Sequence, residues 1–313
     1  MKADARIFVA GHLGLVGGAV HRALTRKGFS NVVGRSRAEL DLEDEPAVLA
    51  FFERERPEYV ILAAAKVGGI HANNTYPVDF VRTNLRIQLS VIEAAWRTGV
   101  TKLLFLGSSC IYPKLADQPI SEDALLGGPL EPTNRPYAIA KIAGIELCRS
   151  YNRQYGTNFI AAMPTNLYGP GDNFDLQNAH VLPALMHRFH LAKITGEPSV
   201  TVWGSGTPRR EFLYVDDVAE ACVFLMERYD GEGIVNIGCG EDVSIAEVAD
   251  AVRAIVGFRG EIAFDRSKPD GTPGKLLDVS KLRDMGWRPA TGLREGLERT
   301  YRWFLDNKMQ VGA

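Results

Sequence analysis

The β-prone run Arg6–Ala10 opens directly onto Gly11-His12-Leu13-Gly14-Leu15-Val16-Gly17, after which Val20, Ala23 and Leu24 recur at helical spacing. Strand, glycine turn and helix in that order admit few folds. Glycines let the backbone turn tightly and approach a pyrophosphate held at the helix N-terminus, where unpaired amides favour an anion. The spacing here is G-x-x-G-x-x-G rather than G-x-G-x-x-G, and a lone match of either kind is weak. The rest of the chain gives it weight, because strand and helix patterns go on alternating. Asn31–Val33 reads as a second strand, Val48, Phe51 and Phe52 as the apolar side of a helix, and Tyr59–Ala64 as a third strand. Val81, Leu85, Leu89, Ile92 and Trp96 then mark one face of a long helix. Leu103–Gly107 has the composition of a strand buried on both faces, and Phe159–Met163 follows as another.

Beyond Pro164 the pattern changes to shorter elements. Val181, Leu182, Leu185 and Phe189 face inward from one helix; Asp216 or Asp217 caps the helix of Val218, Cys222 and Leu225. Ser244 and Glu247 form a capping box, and Asp41 reads as a helix cap. These patterns predict an α/β fold, a doubly wound parallel sheet of the Rossmann type with a smaller, chain-interleaved C-terminal substrate lobe. Residues 1–166 and 213–238 are assigned to the dinucleotide-binding domain, and 167–212 and 239–313 to the lobe.

A chain of 313 residues has room for one large domain with such a lobe, and a formal charge of −2 carries no polyanion-binding signature, so nucleic acid is not an expected partner. Four cysteines without C-x-x-C spacing argue for a reducing compartment and against a disulfide framework or a zinc site; no metal is expected. Three of them lie in runs typical of buried thiols. Ile7–Ala10 is too short for a signal-peptide core, and no apolar run reaches membrane-spanning length. A soluble cytoplasmic protein with no membrane partner is expected.

The chemistry concentrates in Ser108-Ser109-Cys110 and in Tyr137 with Lys141. Residues four apart on a helix lie side by side, so the phenol and the ammonium are neighbours, and a nearby cation lowers a tyrosine pKa. With a hydroxyl from Ser108, the set can protonate a carbonyl oxygen as hydride reaches its carbon. Alone, such a pair is more often an exposed aromatic beside a solvated charge. Cys110 is a thiol that simple carbonyl reduction does not require. About 20 residues beyond the glycines, where NAD sites place an acidic residue, stand Arg35 and Arg37, which suit the extra phosphate of NADP. Two solvated loop arginines are the alternative, and NADP is the preferred reading.

Gly11, Gly14 and Gly17, Ser108, and Tyr137 with Lys141 resemble the extended short-chain dehydrogenase/reductase superfamily. The longer motifs Gly107–Lys114, Pro132–Lys141, Met163–Pro170 and Trp203–Pro208 are similar to the GDP-L-fucose synthase family within it. That resemblance implies NADPH, a GDP-bound 4-keto-6-deoxyhexose, two epimerisations and one reduction. It implies Cys110 as base and His180 as acid for the epimerisations, and Tyr137, Lys141 and Ser108 for the reduction. It places Gly11, His12, Leu13, Gly14, Leu15, Val16, Gly17, Arg35, Arg37, Leu106, Gly107, Ser108, Ser109, Lys141, Pro164, Thr165, Asn166, Leu167 and His180 at the cofactor. Arg188, Trp203, Arg210 and Asp270 are carried over as nucleotide-sugar contacts, and a homodimer through two long helices is implied. Some relatives have Arg where this chain has Leu13, which leaves the 2′-phosphate to Arg35 and Arg37. Two other functions fit parts of the pattern: a nucleotide-sugar 4,6-dehydratase or 4-epimerase with tightly held NAD, and a protein that senses NADPH without turning it over.

Overall fold

The alternation carries into three dimensions. β1 (Ile7–Ala10) runs through the glycine turn into α1 (Leu15–Arg26), followed by β2 (Val32–Val33), α2 (Glu45–Glu55), β3 (Tyr59–Leu62), α3 (Ile70–Thr75), α4 (Pro77–Arg97), β4 (Lys102–Leu106), α5 (Arg135–Tyr155) and β5 (Phe159–Pro164). The second half holds β6 (Asn166–Tyr168), α6 (Val181–Thr195), β7 (Ser199–Trp203), β8 (Arg209–Arg210), β9 (Phe212–Tyr214), α7 (Val215–Arg228) and β10 (Val235–Ile237). It ends with β11 (Val243–Ser244), α8 (Ile245–Val256), β12 (Glu261–Asp265), α9 (Ser280–Asp284) and α10 (Leu293–Lys308). The computed structural model describes residues 1–176, 179–268 and 270–308.

Six strands form one parallel sheet in the order β10-β5-β4-β3-β1-β2. Helices cover both faces, which is why its strands are apolar in near-continuous runs rather than at alternate positions, with buried Lys102 and Asn236 as polar exceptions. Ile7, Val9, Ile61 and Leu104 pack beneath α1 and α7, while Phe8, Val60, Leu103 and Phe105 pack beneath α2, α4 and α5. The chain leaves β1 for β2 on one side and returns to β3 on the other. That reversal opens a crevice at the carboxyl ends of β1 and β3, the place where open α/β sheets take ligands. A third core gathers α6, α8 and α10 with the parallel pair β7–β12, and includes Met186, Phe189, Val202, Val252 and Phe304. Two further pairs, β6–β9 and β8–β11, connect this region to the sheet.

Several expectations need correction. On α4 the buried side is Phe80, Thr83, Asn84, Gln88, Val91, Ile92 and Ala95, whereas Leu85 and Leu89 are 37% and 47% exposed. Polar side chains are tolerated inside because they are paired: Gln88 Nε2 donates to Ala140 O at 2.7 Å and Asn84 Nδ2 to Phe80 O at 2.7 Å. Asp44, accepting from Ala47 N, caps α2 instead of Asp41. Neither Asp216 nor Asp217 caps α7: Asp216 pairs with Arg22, and buried Asp217 accepts from Ala290 N and Thr291 N. Val181 is exposed rather than inward. Cys148 and Cys222 are buried as read, but Cys239 is only half-buried. The Ser244–Glu247 capping box is present.

Candidate active site

At Gly11 and Gly17 the turn has no room for a side chain. A Cβ on Gly17 stands 2.1 Å from Gly11 O, and one on Gly11, whose φ is +88°, stands 2.8 Å from Ala64 Cα. The turn therefore presses against the start of its own helix and against the end of β3. The His12 ring lies where a Cβ of Gly34 would come within 2.2 Å of it, and its buried Nδ1 has no partner in the protein. Burial, with neighbouring His21, holds the His12 pKa down. Leu13 is 73% exposed at the rim, while Leu15 and Val16 begin α1 against the sheet core. Arg35, at the end of β2, bonds Gly34 O at 2.8 Å, pairs with Glu55 at 3.3 Å and lies over Phe51. Arg37 pairs with Asp41 and Glu43 and is otherwise open to solvent. A glycine cradle closed to any Cβ, an unpartnered buried ring nitrogen and two arginines past β2 fit a phosphorylated dinucleotide.

At the end of β4, Gly107 brings the backbone so near β5 that a Cβ would meet Met163 Sδ at 2.3 Å. Ser108 then caps a single 3₁₀ turn over Ser109–Ile111, its Oγ accepting from Cys110 N at 3.2 Å. Tyr137 enters from the first turn of α5, which also holds Pro136, and the nearby Ser108 side chain offsets part of the rise that burial imposes on the phenol. One turn on, Lys141 Nζ donates to Leu106 O at 2.6 Å and stands 5.9 Å from the Tyr137 ring centre. The predicted phenol–ammonium neighbours are thus present, but the expected electrostatics are reversed. Burial pushes the Tyr137 pKa up, with the charge at Cys110 adding to it, and burial drives Lys141 down to about 7. Desolvation penalises both charged forms and decides both shifts. The phenol therefore holds its proton more tightly than a free tyrosine and releases it only to a strongly basic oxygen.

Cys110 is half-buried in a pocket lined by Tyr112, Lys114, Glu131, Asn134 and Lys275 among others. Its Sγ receives Asn134 Nδ2 at 3.4 Å and Lys275 Nζ at 3.4 Å. Glu131 supplies a carboxylate to this pocket and pairs with Lys114 at 2.8 Å. His180 occupies the N-cap of α6 without capping it through its side chain. Its residue surface is open to solvent, yet the surrounding protein, and after it the charge of Lys275, holds the imidazole below its ordinary pKa. Pro164 ends β5; Thr165 Oγ1 and Asn166 Nδ2 both donate to Glu211 O, at 3.2 and 2.9 Å, while Leu167 continues into β6.

In the second half, Trp203 is half exposed with the Arg188 guanidinium and the Lys268 ammonium each 5.4 Å from its ring centre. Arg188, Trp203 and Thr201 line one groove between α6 and β7. Arg210 is largely enclosed, burial lowers its pKa, and its charge acts on Cys110 and Asp270. The Asp270 carboxylate accepts from Ser205 N and Ser205 Oγ at 2.6 and 2.9 Å, bracing the turn that follows Trp203. Sequence reasoning did not single out Asn134 or Lys275. Asn134 lies inside the Pro132–Lys141 motif, which was signal enough; Lys275 has no local pattern around it. Among the described residues no group of three His, Cys, Asp or Glu side chains could hold a metal, and no helix is long and apolar enough to cross a membrane.

The profile of the NAD dependent epimerase/dehydratase family matches residues 7–238. GDP-L-fucose synthase 1 of Arabidopsis thaliana is 61% identical over 304 residues, covering 97% of this chain and 94% of that protein. The GDP-L-fucose synthase of Escherichia coli K12 is 55% identical, covering 97% of each. Among solved structures, a GDP-L-fucose synthetase from Naegleria fowleri bound to NADP superposes with a TM-score of 0.92 at 32% identity, over 99% of this chain and 96% of that one. The crevice, the serine–tyrosine–lysine set and these likenesses agree: the chain belongs to the NAD dependent epimerase/dehydratase family, in its GDP-L-fucose synthase branch.

Proposed function

We propose that this protein converts GDP-4-keto-6-deoxy-D-mannose to GDP-L-fucose with NADPH, inverting C3 and C5 before reducing C4. The observation that carries this reading is a thiol, Cys110, held two residues from Ser108 and within the electrostatic reach of Tyr137. A carbonyl reductase needs the serine, tyrosine and lysine; only chemistry at the neighbouring carbons calls for the sulfur as well.

The C4 ketone makes the hydrogens on C3 and C5 acidic, because loss of either leaves an enolate. Inversion takes a proton from one face and returns one to the other, so it needs a base and an acid on opposite sides. Cys110 is the base, its sulfur bonded by Asn134 and Lys275. His180 is the acid. Because burial and Lys275 disfavour its imidazolium, any proton it carries is readily surrendered to the enolate. NADPH, when bound, supplies the hydride that C4 receives. Tyr137, kept protonated by burial, gives its proton to the C4 oxygen, Ser108 orients the phenol, and Lys141 holds the floor of the site through Leu106 O. Gly11 through Gly17, Arg35 and Arg37 hold the dinucleotide; Arg188, Trp203 and Arg210 hold the nucleotide sugar, with Asp270 shaping the turn beside them.

The protein works in the cytoplasm as a homodimer. Support for the compartment is its four free thiols. Support for the dimer is the row of exposed apolar side chains on α4 and α5, namely Val78, Leu85, Leu89, Ile139 and Tyr155. The test of the activity is direct: supply GDP-4-keto-6-deoxy-D-mannose and NADPH, follow absorbance at 340 nm, and identify the sugar by NMR. GDP-L-fucose is expected. A reduced sugar with unaltered C3 and C5, or no oxidation of NADPH, overturns the reading.

A further inference from the structure

Two lysines line the pocket beside Cys110. Lys114 is matched by Glu131 at 2.8 Å, but Lys275 forms no ion pair with a carboxylate among the described residues. An uncompensated ammonium in a half-enclosed place costs solvation, and it persists where a negative charge forms during function or where a ligand supplies one. Lys275 instead makes two other connections. Its Nζ donates to Cys110 Sγ at 3.4 Å, and its charge acts on His180. No bond joins it to Ser108, Tyr137 or Lys141; Ser108 Oγ accepts from Cys110 N and Lys141 Nζ donates to Leu106 O.

The backbone carrying Lys275 is tied on both sides. Pro273 O accepts from Arg209 N at 2.9 Å, and Leu277 N donates to Glu211 Oε2 at 3.1 Å. Between them, Leu276 N donates to Gln118 Oε1 at 2.7 Å, and Leu276 O accepts from Ile120 N at 2.8 Å. The strap is thus stitched to β8 and to the loop beyond Pro113. Such bracing fixes where the ammonium stands before any substrate arrives, as positioned catalytic charges require.

We infer that Lys275 is a positioning residue of the epimerisation stage alone, acting through the Cys110 sulfur and the His180 ring rather than on hydride transfer. This rests on the two-stage reading given under Proposed function. The ammonium steadies the sulfur while it carries charge, and it discourages a second positive charge on the imidazole. Proton traffic between the two is thereby biased in one direction. A lysine that merely gripped the substrate diphosphate would serve both stages equally; this one is bonded to the sulfur, the proton-transfer group of the first stage.

The experiment separates the stages in full-length enzyme. Deuterium uptake at C3 and C5 is measured in heavy water without NADPH, and reduction is measured with ketone already equilibrated by a Tyr137→Phe enzyme. Wild-type uptake comes first: if it is absent, the two-stage reading fails, not this inference. In Lys275→Met we expect uptake to fall about 100-fold, the scale of a displaced acid–base group, while reduction stays within about 3-fold. Lys275→Arg is expected to recover much of the uptake. The His180 imidazole, followed by NMR, should titrate at higher pH in Lys275→Met than in wild type, which loss of packing alone does not produce. Lys275→Gln stands in if the Met variant does not fold. Equal losses in both stages with a raised KM would make Lys275 a substrate-binding residue, and unchanged uptake would remove it from the reaction; either result overturns the inference.

Discussion

Lys141 offers the sharpest test, because its contribution to activity and its contribution to stability have opposite signs. The side chain is 3% exposed, and burial lowers its pKa from 10.5 to about 7. At about 1.4 kcal/mol per pH unit, carrying that ammonium costs the cofactor-free fold about 4 kcal/mol at pH 7 relative to a lysine in the unfolded chain. Lys141→Met keeps the chain length and removes the charge. It also removes the 2.6 Å bond to Leu106 O and the ammonium 4.8 Å from the Phe105 ring, together worth about 2 kcal/mol. The variant should therefore be about 2 kcal/mol more stable than wild type at pH 7 while losing C4 reduction. Between pH 7 and 10.5 the unfolded wild-type chain binds a proton that the fold has shed, so wild-type stability rises with pH across that window. The gap should close by about pH 9 and reverse above it. Guanidinium unfolding of both proteins without cofactor, at fixed protein concentration and at several pH values, reads this out. A variant less stable than wild type at pH 7, or a gap that does not vary with pH, would refute the reasoning.

Other outcomes follow from the same geometry. Cys110→Ser should abolish deuterium uptake at C3 and C5, detected by mass spectrometry, while leaving reduction of pre-epimerised ketone largely intact. Tyr137→Phe should do the reverse, slowing reduction by about 100-fold or more with uptake preserved. Gly17→Ala puts a methyl 2.1 Å from Gly11 O; it should weaken NADPH binding, read by fluorescence titration, and cost about 2 kcal/mol of stability. Leu89→Glu, on the open face of α4, should turn a sedimenting dimer into a monomer without changing the fold by circular dichroism.

Which features were legible depended on how local their cause was. The glycine turn, the buried strands and the Ser244 capping box each announce themselves within a few residues, and each stands where the pattern put it. The face of α4 did not, because Gln88 and Asn84 enter the interior by bonding Ala140 and Lys66, 52 and 18 residues away in the chain, besides Phe80 one turn back. Leucines at 85 and 89 then gave a plausible but outward stripe. At the site, the spacing of Tyr137 and Lys141 revealed their adjacency but not their depth, and depth decides the sign of both pKa shifts. Lys275 lies 165 residues from Cys110, a separation no pattern of spacing could bridge.

Glu211 joins the two halves of the molecule. Its buried carboxylate gathers Gly240 N and Leu277 N, and its carbonyl takes the side chains of Thr165 and Asn166. Arg210 is its neighbour, and Lys275 lies two places before Leu277. One residue, through its carbonyl and its carboxylate together, therefore sets the spacing between the end of β5, the β8 arginines and the strap behind the thiol. An engineer who grafts a different sugar-nucleotide lobe onto this sheet must transplant that carboxylate together with its amide donors, or the two halves will meet out of alignment.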